Sequence, residues 1–79
     1  MLVEKIYVRH LKESELYEVE LRINNGEEPR LRKCIGITED FLSDYEGDVA
    51  EMIVRQEPTL TYEQASEILS KIADIKNDT

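Results

Sequence analysis

A lone cysteine and a lone histidine, Cys34 and His10, are the side chains best suited to nucleophilic chemistry, as a thiolate with an imidazole base. Both fall in segments that read as strand, and no motif surrounds either. A strand cysteine of this kind is expected to be a small apolar packing residue. A structural zinc asks for four Cys or His ligands, and the chain holds only these two. Asp44, Glu46, Gly47 and Asp48 approach an EF-hand loop in composition, but with Gly47 in the sixth place Leu42 stands where the first ligand must be an acid. Gly26, Gly36 and Gly47 are scattered, so no phosphate-cradling loop is encoded. Carboxylates abound, yet no pair is singled out by an apolar setting. The sequence therefore predicts no catalytic residue, no metal and no cofactor. It points to a non-enzymatic protein that acts by binding through its surface.

The charge that such a surface would use is unevenly placed. Residues 1–37 carry seven Lys or Arg and seven Asp or Glu, whereas residues 38–79 carry three and eleven, so the net charge of −8 belongs to the second half. Six acids lie between Glu39 and Glu51. On a helical wheel Asp40, Asp44, Asp48 and Glu51 fall along one outward stripe. Asp40 with Asp44, and Asp44 with Asp48, are like-charge i,i+4 pairs that each cost a few tenths of a kcal/mol, and only Glu51 with Arg55 relieves them. These four are the candidate partner-binding residues. A regulator or inhibitor docking this acidic helix on a basic protein surface is the expected function, and in a sharper form the carboxylates mimic nucleic-acid phosphates, as in a phage-type anti-defence inhibitor. Against this stands a solvated face kept acidic for solubility. Arg22, Arg30 and Arg32, with Lys33, form a secondary basic strand, but they interleave with Glu18 and Glu20, so cross-strand pairing explains them without direct nucleic-acid binding.

Two regimes of periodicity position these residues, period 2 before Thr38 and a helical period after it. In Leu16 to Ile23, Tyr17, Val19, Leu21 and Ile23 point to one side and Glu18, Glu20 and Arg22 to the other, as in a half-buried antiparallel strand. Leu2 to Arg9 supplies a preceding strand, joined through Lys12-Glu13-Ser14-Glu15. Leu31 to Ile37 supplies a third, with Leu31, Ile35 and Ile37 inward, Leu21 opposite Leu31 and Glu20 opposite Arg32. Thr38 is the expected N-cap of a helix whose apolar stripe is Phe41, Leu42, Tyr45, Val49, Met52 and Ile53, with Gly47 on the wet side; a break at Gly47 into two short helices competes. Beyond Pro58, Thr61 and Gln64 have capping-box spacing, with Leu60 as staple, and Ala65, Ile68, Leu69, Ile72 and Ile75 form the buried stripe of a second helix.

The expected architecture is α+β, a three-stranded antiparallel meander followed by two amphipathic helices (β-β-β-α-α). It forms one domain over 1–79, with a sheet half at 1–37, an acidic helical half at 38–76 and a frayed tail at 77–79. A 79-residue chain buries only about 60% of its unfolded surface, so a homodimer through a sheet edge is the alternative role, with the acidic face serving solubility alone. One cysteine makes no internal disulfide, and no window approaches the roughly 20 apolar residues of a membrane span, which together predict a cytoplasmic protein without membrane contact.

Overall fold

The computed structural model describes residues 2–26, 28 and 31–78. Three antiparallel strands, β1 (Leu2–Leu11), β2 (Leu16–Asn24) and β3 (Leu31–Thr38), form one sheet in the order β1-β2-β3. Alternation dictates β2 most completely: Tyr17, Val19, Leu21 and Ile23 are each at most 1% exposed, and full burial of such side chains is worth about 1.5–3 kcal/mol apiece. Their neighbours Glu18, Glu20 and Arg22 face the uncovered side and remain partly exposed. A single 3-10 turn at Lys12–Ser14 joins β1 to β2, closing on Glu15 in the left-handed region at φ 50°. β1 carries a register shift between Val3 and Lys5, which lets Val3 and Ile6 both reach the core.

The β2–β3 register differs from the expected one. Glu20 lies opposite Cys34, Leu21 opposite Lys33 and Ile23 opposite Leu31, a slip of two residues. An even slip leaves every side chain on its own face, so hydrophobic patterning does not resist it. Ile37 is buried and Ile35 half-buried as expected, but Leu31 is 44% exposed. It has the inward parity at the end of the strand farthest from α1 and stays open to solvent.

The acidic half departs most from expectation. Thr38 is the N-cap foreseen, its hydroxyl accepting from Phe41 N–H at 3.1 Å. The helix it starts, α1 (Glu39–Asp44), then stops, and α2 (Val49–Gln56) begins anew, so the competing break at Gly47 is the one realised. Two forces favour it. A glycine within a helix costs about 1 kcal/mol relative to alanine, and Asp48 is a strong N-cap, accepting from Ala50 N–H at 3.0 Å and Glu51 N–H at 3.4 Å. Asp48 thus leaves the outward stripe and becomes a helix terminus.

α3 (Tyr62–Asn77) opens with the full capping box, Thr61 Oγ1 accepting from Gln64 N–H at 3.1 Å and Gln64 Oε1 accepting from Thr61 N–H at 2.9 Å. Leu60 and Ala65, at the staple positions, are both buried. Ala65, Ile68 and Ile72 are buried with Ala50 and Ile53 of α2 in one cluster with the sheet's inner face, while Leu69 and Ile75 pack partly buried against it. α3 continues through Asn77, and Asp78 N–H bonds the Asp74 and Ile75 carbonyls. Among the described residues, no helix is long and apolar enough to cross a membrane.

Candidate functional site

The four residues of the expected stripe divide into two groups. Asp40 and Asp44 lie exposed on α1, and Glu46 is exposed in the turn that follows. Among the described residues, no hydrogen bond or ion pair engages these three carboxylates. Asp48 and Glu51 are committed within the chain. Asp48 caps α2 and also accepts from the Tyr62 hydroxyl at 2.6 Å, which holds its carboxyl below the usual range while raising the Tyr62 phenol. Glu51 Oε1 pairs with Arg55 Nη2 at 2.8 Å, the i,i+4 relief foreseen. The break at Gly47 therefore turns a straight row of carboxylates into an exposed acidic segment, Asp40 to Glu46, followed by a capped helix.

The sheet's uncovered face treats its charges differently. Arg9 Nη2 meets Glu18 Oε1 at 2.9 Å, and Arg22 Nε meets Glu20 Oε2 at 3.1 Å. Arg32 Nη1 reaches Glu20 Oε1 at 3.7 Å, diagonally because of the two-residue slip. Arg22 also lies over the Tyr7 ring, 5.8 Å from its centroid. The secondary basic strand is thus matched by its own acids; Arg30, named with it, lies outside the described residues.

An unforeseen pair sits beneath the helical layer. Glu57, 4% exposed, pairs through Oε2 with Lys33 Nζ at 2.6 Å and accepts from the Thr59 hydroxyl. Lys33 first, then Thr59, hold its pKa below the ordinary value against the opposing pull of burial. The sequence carried one signal of it: Lys33 shares the inward parity of Ile35 and Ile37. Beside this pair a groove of about 260 Å³ opens between β3 and the helices, lined by Ile35, Ile37, Phe41, Met52 and Ile53 among others.

The two residues considered for nucleophilic chemistry are not brought together. His10 lies on the helix-covered face, stacked on Tyr17 with ring centroids 4.6 Å apart and its Nε2 3.6 Å from Glu39 Oε1. Tyr17 donates to the same Glu39 oxygen at 3.2 Å, and burial followed by that acceptor raises its phenol pKa. Cys34 is on the opposite face and exposed, so it is not the packing residue expected. It shares parity with Glu18 and Glu20 rather than with Ile35, a consequence of where the alternation of β3 falls. Among the described residues, no three His, Cys, Asp or Glu side chains converge as a metal site would require. No protein-family model matches the chain, and neither the curated proteins nor the solved structures searched include a match.

Proposed function

We propose that the protein is a non-enzymatic binding module, a regulator or inhibitor, whose acidic segment Asp40 to Glu46 docks on a basic surface of another protein. One observation carries the reading. The sheet's carboxylates at Glu18 and Glu20 are answered by arginines of the same chain, whereas Asp40, Asp44 and Glu46 are exposed and answered by none among the described residues. Asp40 and Asp44 repel each other within one helical turn, so local helix stability does not account for them beyond the first-turn dipole. Carboxylates held in that way attract Lys and Arg from a distance, speed encounter and reject acidic surfaces.

The regular helical row from Asp40 to Glu51 on which the phosphate-mimic reading rests is not formed. The proposal is for protein recognition by a short acidic segment. Asp44→Lys with Glu46→Lys is the direct test. Binding to the natural partner is expected to fall at least tenfold at physiological salt, with the wild-type interaction weakening as salt rises. Binding that survives both changes overturns the proposal.

A further inference from the structure

The sheet has two edges, and they are not alike. β1 carries a register shift, packs under α3, and has the Val3 carbonyl bonded by Gln64 Nε2 at 3.3 Å. β3 pairs with β2 in unbroken register along its whole length, and among the described residues no strand lies against its far side. The phase of the ladder is fixed at its end, where Glu39 N–H donates to Glu15 O at 3.2 Å, continuing the same register. Directly opposed residues that exchange hydrogen bonds recur at every second position, so the odd-numbered residues of β3 bond to β2. Arg32, Cys34 and Gly36 therefore turn their N–H and C=O groups to the open edge, and all three residues are exposed.

The groove beside this edge is apolar and small. Ile35 and Ile37 of β3, Phe41 of α1 and Met52 of α2 line it, and so do the edge residues Gly36 and Thr38. At about 260 Å³ it falls short of the roughly 300 Å³ at which small-molecule sites begin, so it suits inserted side chains better than a cofactor. A strand added along β3 sends every second side chain to the helix-covered face, beside Ile35 and Ile37. Met52, unbranched and half-buried, adapts to apolar groups of different shape. The rim has a sign. On a helical wheel Leu42 lies about 100° to one side of Phe41 and packs with it against the core, whereas Asp44 and Asp40 lie about 60° and 100° to the other. Both acids are exposed and unanswered among the described residues, so the α1 wall of the groove gives way to two carboxylates.

We propose that the open edge of β3 and its groove take an extended segment of the basic partner protein as a fourth strand, with alternate apolar side chains in the groove and Lys or Arg at the end that reaches α1. The inference rests on the docking function above and names the segment that docks. Backbone hydrogen bonds to Arg32, Cys34 and Gly36 supply affinity, the groove selects an apolar side chain at every second position, and Asp40 and Asp44 select a cation and reject an acid. Asp40 stands past Thr38, the last residue of β3, which places the cation at the end of the segment rather than within it. Arg32 and Lys33 keep their partners Glu20 and Glu57, because the segment meets the backbone of the edge.

The probe is a fluorescent peptide of alternating valine and threonine, as long as β3 and with paired lysines at each end. Fluorescence polarisation with the intact chain is expected to show saturable binding at micromolar concentration, with NMR shifts at the Ile35 and Ile37 methyls and the Cys34 and Gly36 amides. A strand presents every second N–H to its neighbour, so N-methylation of one alternate set of peptide amides is expected to weaken binding about tenfold and of the other set less than about twofold. Asp40→Lys with Asp44→Lys, both on exposed side chains, is expected to weaken it about tenfold. Equal sensitivity of the two sets, or binding without shifts in the groove, overturns the edge site, and the docking function still stands if the charge reversal weakens binding. Binding that keeps the alternate dependence but survives the charge reversal overturns the basic occupant and the docking function together. No binding at millimolar peptide overturns the proposal and leaves the groove to an apolar small molecule or a second copy.

Discussion

Glu57 shows how one side chain ties the sheet to the helices. Its carboxylate is nearly buried, and among the described residues Lys33 and Thr59 are the side chains that meet it there. Lys33→Met keeps most of the aliphatic stem and removes the ammonium, leaving Glu57 short of a partner. Because Lys33 is itself half exposed, the expected cost is about 1–2 kcal/mol rather than the larger penalty of a fully buried pair, read as a lower urea midpoint at neutral pH. The same pair sets a pH dependence. A carboxyl whose folded pKa lies below its ordinary 4.5 adds stability that is fully present above that value and is lost as pH falls through the lower folded one. Asp48 has the same sign through Tyr62. Stability is thus expected to decline on acidification below about pH 4.5, and Glu57→Gln to make that decline shallower; an equally steep decline in the variant counts against the role of the pair. The pair was not legible beforehand, because its partners lie on different elements and parity marks Lys33 as inward without saying what it meets.

At the scale of the element, sequence pattern and structure agree where burial forces the answer. β2 alternates because one face must leave water, and α3 starts at Thr61 because Thr61 and Gln64 satisfy each other's backbone donors. They part where local chemistry competes with a smooth pattern. A helical wheel through Asp40, Asp44, Asp48 and Glu51 presumes one continuous backbone, whereas Gly47 weakens that helix and Asp48 offers its side chain to two amides of the next. The β2–β3 register escaped for a related reason, since a slip of two keeps every face unchanged. Asp48→Ala removes the α2 cap and the Tyr62 acceptor together. It is expected to lower stability by about 1 kcal/mol in a denaturant titration, with Thr61→Ala at α3 costing a similar amount. A null effect at Asp48 would argue that α1 and α2 fuse when the cap is lost.

Across the whole molecule, the two halves handle charge differently. The sheet half is neutral and pairs arginine with glutamate across its open face, while the helical half carries the entire net charge of −8 and leaves Asp40, Asp44 and Glu46 without partners among the described residues. Solubility alone would be indifferent to where those charges sit; docking would not. Comparative affinity capture from the source cells, with baits that change net charge equally, separates the two most directly. One bait carries Asp44→Lys with Glu46→Lys, the other Glu67→Lys with Asp74→Lys on the exposed side of α3. The account predicts that a partner held by the wild-type chain is lost from the first bait and kept by the second. Equal loss from both, or retention by both, would contradict it.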